Sequence, residues 1–233
     1  MRILVVEDNE TVAEQLAGAL REANFAVDVA HNGEDGYELG ETHDYAAVLL
    51  DINLQSGMDG ITVLQTWRKR GRTMPVLLLT VKDRWTEKVA GLEAGAHDYI
   101  TKPYHIEEVL ARVWTHIRIA GGNASPELAC GPLNLDTRSM RDILLEGAAL
   151  PLTATEFRLL AHLMLNKGRV VGRQELTQQI YDLGDEHESN TLDVFIYKIR
   201  KKLGGYKKLL KTVPGRGYYL AEALEDEQEA GAE

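Results

Sequence analysis

The chain has 233 residues, 26 Lys and Arg against 36 Asp and Glu, and a net charge of −10; it is long enough for two ordinary domains, each with its own core. A single cysteine, Cys130, excludes a disulfide framework and fits a reducing cytoplasm, where a small apolar filler is its simplest role. The start is apolar only as far as Val6 before Glu7 and Asp8, and no run approaches the length of a membrane span, so a soluble cytoplasmic protein with no signal peptide and no membrane partner is expected.

Residues 2–102 alternate apolar strands with amphipathic helices five times, which predicts an α/β unit built on a doubly wound five-stranded parallel sheet. Strands are predicted near 2–6, 26–30, 46–50, 75–79 and 98–101, and helices near 10–23, 34–41, 60–70, 84–94 and 105–119. The run Ala46-Ala47-Val48-Leu49-Leu50 is too short for a buried helix and reads as a central strand covered on both faces. It closes on Asp51. The first strand closes on Glu7 and Asp8, the fourth on Thr80, and the fifth on Lys102-Pro103. In an open parallel sheet ligands bind outside the carboxyl ends of the strands. Carboxylates, a hydroxyl and an ammonium are therefore expected on one rim, a set that suits a divalent cation and a phosphoryl group together. Alone, Lys102 would be a surface ion pair and Thr80 a β-branched strand residue; their joint placement at four strand ends carries the expectation.

Gly121-Gly122-Asn123-Ala124-Ser125-Pro126 is a polar, turn-rich break, placing a linker at 121–126 between units 1–120 and 127–221. It is short, so the two should be neighbours. Beyond it come strand-like pieces at 127–130, 133–135, 140–145 and 149–151. Thr153 and Glu156 stand at capping-box spacing and open a helix to about 165 with Phe157, Leu160, Leu163 and Met164 on a core face. A second helix is predicted from Arg173 to Ile180 and a third from about Ser189 to Leu203. Leu209–Val213 and Tyr218–Leu220 flank Pro214-Gly215-Arg216-Gly217 as a hairpin. Residues 222–233 are acidic and poor in apolar groups, the composition of a disordered tail.

The charge is segregated. Residues 1–120 carry 12 basic against 19 acidic residues, 121–221 carry 14 against 11, and 222–233 carry none against 6. Within 187–220 the balance is 8 to 2, which points that segment toward an acidic polymer. In the third helix Leu192, Ile196, Ile199 and Leu203 recur at i, i+4, i+7 and i+11 as a core face, with Phe195 beside it. The other side shows Asn190, Thr191, Asp193, Val194, Tyr197, Lys198, Arg200, Lys201 and Lys202. A basic helix face is often merely solvated; the preceding helix and following hairpin favour a recognition helix in the DNA major groove.

Val5-Val6-Glu7-Asp8-Asn9, Leu49-Leu50-Asp51, Met58-Asp59-Gly60, Leu79-Thr80, Ala94-Gly95-Ala96-His97-Asp98-Tyr99 and Thr101-Lys102-Pro103 resemble the receiver domain of bacterial two-component response regulators, a flavodoxin/CheY-like fold. The remainder resembles the winged helix-turn-helix effector, an α+β domain, of the OmpR/PhoB family, closest to its PhoP-like branch. The resemblance implies a phosphorylation-activated transcriptional regulator that is not an enzyme. Asp51 would accept a phosphoryl group from a sensor histidine kinase. Glu7, Asp8, Asp51 and the backbone carbonyl of Asn53 would hold Mg²⁺. Lys102 and Thr80 would bind the phosphoryl oxygens, Tyr99 would move with Thr80, and the bond to Pro103 would be cis. On DNA, Thr191, Tyr197 and Arg200 are expected at phosphates and Val194 and Lys198 at bases. Asn190 stands where many relatives have Arg, and Pro214 stands at the usual wing Arg, which leaves Arg216 as the substitute there. Receiver dimerisation is expected through Lys88 with Glu108 and Asp98 with Arg112, on the partner or within the subunit, around an apolar centre of Val89 and Leu92. A third family pair falls on His97 and Ile119, which cannot bridge. RNA polymerase and direct-repeat DNA complete the expected partners. Two departures stand out: the loop 54–60 is one residue longer than usual and lacks its proline, and Tyr104 replaces the usual Phe.

Two other functions share parts of this pattern. An Asp-nucleophile phosphatase also uses Mg²⁺ and an aspartyl phosphate, but it needs a second acid/base carboxylate and a substrate cap, whereas residues 127–220 are spent on a wing-like domain. A phospho-switch acting on protein partners alone would not need the basic segment 187–220.

Overall fold

A computed structural model describes residues 1–55, 57–81, 85–139, 142–180 and 191–222, with only the backbone of 85–88 and 191. Five parallel strands, β1 (Arg2–Val6), β2 (Ala26–Ala30), β3 (Ala47–Asp51), β4 (Val76–Val81) and β5 (Asp98–Lys102), form one sheet in the order β2-β1-β3-β4-β5. The helices between and after them are α1 (Glu10–Glu22), α2 (Gly33–Thr42), α3 (Gly60–Lys69), α4 (Trp85–Glu93) and α5 (Ile106–Ala120). Side chains alternate across a strand, so each strand divides between two cores. Ile3, Val5, Leu49, Leu77 and Leu79 pack with Leu16 and Leu20 of α1 and Val113, Trp114 and Ile117 of α5. Leu4, Val6, Val48, Leu50 and Leu78 pack on the other side with Leu64 and Trp67 of α3. Each such aliphatic side chain contributes about 1.5–3 kcal/mol when fully buried. Strand order reverses between β1 and β3, so the rim above their carboxyl ends is the sheet's natural ligand crevice.

The second unit opens with an antiparallel sheet of β6 (Glu127–Cys130), β7 (Leu133–Asp136), β8 (Ile143–Leu145) and β9 (Ala148–Ala149). Then come α6 (Ala154–Leu165), β10 (Val170–Val171), α7 (Arg173–Ile180), α8 (Thr191–Leu203), a 3₁₀ turn over Gly204–Leu209, β11 (Leu210–Val213) and β12 (Gly217–Leu220). The capping box forms as expected: Thr153 N–H donates to Glu156 Oε2 at 2.8 Å and Glu156 N–H to Thr153 Oγ1 at 3.4 Å. The expected apolar faces of α6 and α8 are buried together, with Leu176 and Ile180 of α7 and with Tyr218 and Leu220. β10 was not anticipated, because two valines carry no periodicity; it pairs antiparallel with β12 as the third strand of the wing sheet. That pairing needs Gly217, where a Cβ would stand 2.0 Å from the Val171 carbonyl oxygen and φ is +142°. The acidic tail from 223 onward lies outside the described residues, as do residues 181–190.

The units meet at the amino end of the parallel sheet. Gln179 of α7, buried, accepts from Arg2 N–H at 3.2 Å and donates to the Asp44 carbonyl at 2.8 Å. Arg118 of α5 donates to the carbonyl of Asn123 at 2.7 Å and also to that of Ala124, while the Asn123 amide donates to the Leu165 carbonyl at 2.9 Å. The linker is thereby bonded to both sides. Among the described residues, no helix is long and apolar enough to cross a membrane.

Candidate functional site

Asp51 ends β3 and is only 4 % exposed, with Glu7 beside it at 1 %. Asp8 is half-buried, and each of the three offers a carboxylate oxygen within 4.8 Å of the others. Three buried or half-buried anions repel, and Lys102 at the end of β5 answers two of them. Its ammonium donates to Glu7 Oε2 at 2.6 Å and to Asp51 Oδ2 at 2.7 Å. The other Asp51 oxygen accepts from Asn53 N–H at 3.1 Å, which turns the chain just past the carboxylate. Burial raises the Glu7 carboxyl above its ordinary value, and the nearby Asp51 adds to the rise against the Lys102 bond. Burial by itself would lower the Lys102 ammonium, but its bonds to Asp51 and Glu7 outweigh it and leave the pKa raised.

Thr80 is fully buried and pairs in the sheet with Thr101, the neighbour of Lys102. Tyr99 lies half-buried on β5, against the core that holds Leu50 and Leu78. The Lys102-Pro103 peptide is cis. All the expected groups of the rim, Glu7, Asp8, Asp51, Asn53, Thr80, Lys102 and Pro103, thus stand at adjacent strand ends. The Tyr104 hydroxyl is buried with no partner among the described residues, and burial pushes it up to about 12. Hard carboxylate oxygens without His or Cys fit a cation such as Mg²⁺, and the lysine already marks the charge that the cluster needs.

The longer loop is anchored at its C-terminal end. Asp59 caps α3, accepting from Thr62 N–H at 2.8 Å and from its hydroxyl at 2.9 Å. The Glu34 carboxylate at the start of α2 accepts from Met58 N–H at 3.0 Å. Gly60 lets the loop return under the site: a Cβ there would lie 2.1 Å from the Asp51 carbonyl oxygen.

On the face built by α4, β5 and α5, Val89 and Leu92 are exposed at 44 % and 49 %. Arg112 donates to Asp98 at 2.8 Å and to Glu108 at 2.9 Å, so this bridge closes within the subunit. His116 adds a 3.2 Å contact to Asp98. The Lys88 side chain lies outside the described residues.

The outward side of α8 divides into two stripes. Val194, Tyr197, Lys198 and Lys201 face solvent, Tyr197 at 67 % exposure, and Lys198 lies over the Phe195 ring at 5.4 Å. Lys201 belongs to this stripe although its role was not singled out from sequence. Asp193, Arg200 and Lys202, expected on the same open side, instead bond inside the unit. Arg200 donates to the Leu210 carbonyl at 2.9 and 2.7 Å and to Thr212 Oγ1 at 2.8 Å, because β11 offers acceptors there. Lys202 donates to Glu156 at 2.6 Å and to the Pro151 carbonyl at 2.7 Å. Arg216 is exposed at the hairpin turn, and Asn190 and the Thr191 side chain lie outside the described residues.

Residues 3–114 match the family described as response regulator receiver domain, and residues 147–220 match that described as transcriptional regulatory protein, C terminal. The chain is 40 % identical over 220 residues to transcriptional regulatory protein TctD of Salmonella typhimurium, covering 94 % of this chain and 97 % of that one. It is 40 % identical over 222 residues to transcriptional regulatory protein QseB of Escherichia coli O157:H7, covering 95 % and 100 %. Identity to the cell cycle response regulator CtrA of Brucella anthropi is 37 % over 227 residues, covering 95 % and 96 %.

Proposed function

The chain belongs to the OmpR/PhoB-type response regulators, phosphorylation-activated DNA-binding transcriptional regulators, and from that membership we propose how its own residues perform the task. Proteins of this DNA-binding type are generally not enzymes, and their receivers generally bind Mg²⁺ at an acidic pocket. The observation that carries the reading is the meeting of Glu7, Asp8, Asp51 and Lys102 on one rim.

Asp51 is the phosphoacceptor. One of its carboxylate oxygens attacks the phosphorus of a phosphohistidine on a sensor kinase; the P–N bond breaks and the imidazole leaves with the electron pair. Glu7, Asp8, Asp51 and the Asn53 carbonyl are the residues that would hold Mg²⁺. The ion, when bound, supplies positive charge against an incoming group of about −1.5 to −2. Lys102, now shared between Glu7 and Asp51, turns to the phosphoryl oxygens, and the Thr80 hydroxyl follows. Tyr99 moves into the space Thr80 leaves, and the α4–β5–α5 face changes shape.

That face then pairs two-fold. Val89 and Leu92 supply most of the affinity, since exposed ion pairs such as those of Lys88, Asp98, Glu108 and Arg112 contribute only about 0–1 kcal/mol each. The winged helices of residues 127–221 bind head-to-tail half-sites about one helical turn apart, with α8 in the major groove. Val194 and Lys198 read bases, and Asn190, Thr191, Tyr197 and the hairpin Arg216 serve the backbone; Arg200, expected there from sequence, is instead held by β11. Regulation takes place in the cytoplasm and acts on RNA polymerase.

Full-length protein incubated with acetyl phosphate and Mg²⁺ tests the reading. Stoichiometric label that Asp51→Asn abolishes, together with a monomer-to-dimer shift in ultracentrifugation, is expected. Label on another residue would remove Asp51 from its role, and sustained turnover of varied phosphomonoesters would make the protein a phosphatase.

A further inference from the structure

The recognition helix is tied to the wing by an acid that cannot favour DNA by its charge. Asp193, in the first turn of α8, receives both terminal nitrogens of Arg173 in a bidentate pair, NH1 to Oδ1 and NH2 to Oδ2, each at 2.9 Å. Arg173 opens α7, the helix before it, and its NH1 also donates to the Tyr218 hydroxyl at 2.9 Å. Tyr218 lies on β12 of the wing with its ring buried, and its hydroxyl donates to Asp193 Oδ1. The guanidinium carbon lies 5.8 Å from the same ring. Three elements thus close on one carboxylate. Arg173 first and Tyr218 next hold the Asp193 carboxyl down at about 2, so it stays charged wherever the protein works.

Asp193 and Arg200 are seven residues apart, two turns along one side of α8, and Arg200 bonds β11 as Asp193 bonds β12. The stripe Val194, Tyr197, Lys198 and Lys201 lies beside that side and is left outward. Tyr218 follows Arg216 of the hairpin by two residues, so the brace sets the spacing between the helix stripe and the wing tip.

We propose that Asp193, through Arg173 and Tyr218, is a positioning residue that locks α8 and the wing into one DNA-reading unit. The inference rests on the reading of α8 as the DNA-facing helix. It assigns Asp193 no contact with DNA.

Charge alone and the brace give opposite signs. Asp193→Asn removes a negative charge from a surface that meets phosphates, so electrostatics by itself would tighten binding to every DNA. The brace requires the reverse at a chosen sequence: the charged bidentate pair is lost, and helix and wing no longer hold their spacing. The experiment measures the phosphorylated full-length protein on a duplex enriched in vitro by the parent, and on poly(dI-dC), over a range of salt. Asp193→Asn is expected to bind the enriched duplex about tenfold more weakly and poly(dI-dC) no more weakly than the parent. Tyr218→Phe keeps the ring and changes no charge; it is expected to lower the enriched-site affinity about three- to fivefold, with the salt slope unchanged and the protein still folded. It also serves where Asp193→Asn does not fold. Tighter or equal binding of the enriched duplex by Asp193→Asn, or no effect of Tyr218→Phe, overturns the proposal. Lys198→Ala in the same assay separates the two readings: if it leaves the enriched site untouched, α8 is not the DNA-facing helix; if it weakens that site while the brace variants do not, only the brace fails.

Discussion

Lys102→Met removes the ammonium from the rim and keeps most of its stem. Only 24 % of the Lys102 side chain is exposed, and it contacts Glu7 at 2.6 Å and Asp51 at 2.7 Å, both of them buried. Gross attraction between unit charges ~4 Å apart is roughly 4 kcal/mol at an effective dielectric near 20, but most of it offsets desolvation. Breaking a buried pair from one side costs about 3–5 kcal/mol, because the remaining charge stays buried. The rim opens to solvent at half-buried Asp8, so the lower end applies, about 3 kcal/mol. With an urea dependence of about 1–3 kcal/mol per molar, the midpoint in chelator should fall by roughly 1–3 M. Trp67 and Trp114 are buried in the two cores flanking the sheet and report the transition by fluorescence. Added Mg²⁺ should restore the variant more than it stabilises the parent, since no ammonium competes for Glu7 and Asp51. The expected gain in Mg²⁺ affinity is about tenfold, or ~1.4 kcal/mol. An unchanged midpoint in chelator, or equal Mg²⁺ shifts for the two proteins, would refute this charge accounting.

Lys198→Ala should relax base preference at one position of the half-site, at ~1–3 kcal/mol, because a good base contact discriminates by about that much; a selection series that returns the parent's sequence logo would contradict it. A pH effect is expected in the winged unit. Burial alone would raise the Glu175 carboxyl, but bonds from His162 at 3.0 Å and Arg169 at 2.6 and 3.0 Å outweigh it and hold it at about 2. Burial also lowers His162, which at neutral pH donates as a neutral ring, so Arg169 supplies the charge. A depressed folded value means stability present above the unfolded value near 4.5 and lost as pH falls toward 2. About a third of the Glu175 side chain is exposed, so screening limits the loss to about 1–2 kcal/mol. Thermal midpoints of Glu175→Gln should be flatter than the parent's between pH 5 and about 2, and parallel curves would show that the cluster carries no such linkage.

The parallel sheet was legible because its signals are local. A run such as Val76–Leu79 is apolar on both faces, and Asp51 and Thr80 each follow directly on such a run, while Lys102 closes the half-buried strand Asp98–Lys102, so strand ends and site residues are read in one step. Sheet closure then brings Glu7 and Lys102 together across 95 residues without any sequence signal of its own. The two-valine strand β10 escaped because its existence depends on β12 lying beside it and on Gly217 making room. The 3₁₀ turn over Gly204–Leu209 escaped for a related reason: glycines at its start read as a stop, while Leu209 is held by burial in the effector core.

The polar side of α8 shows where helical periodicity stops being informative. A period of 3.6 separates the buried face of Leu192, Ile196, Ile199 and Leu203 from everything else, and it treats Asp193, Arg200 and Lys202 as equal to Lys198. Which of those charged groups is left for DNA depends on acceptors elsewhere in the chain: the Leu210 carbonyl, Thr212, Glu156, and the Arg173–Tyr218 pair. Those partners lie on other elements, α6, α7 and the wing strands, and their acceptors recruit the long side chains that pass nearby. A count of basic residues therefore overstates the electrostatic surface of this helix. Lys198 and Lys201 of the helix, with the exposed Lys207, Lys208 and Arg216 beyond it, remain outward while Arg200 and Lys202 do not, so the salt dependence of DNA binding should be smaller than the eight basic residues of 187–220 suggest.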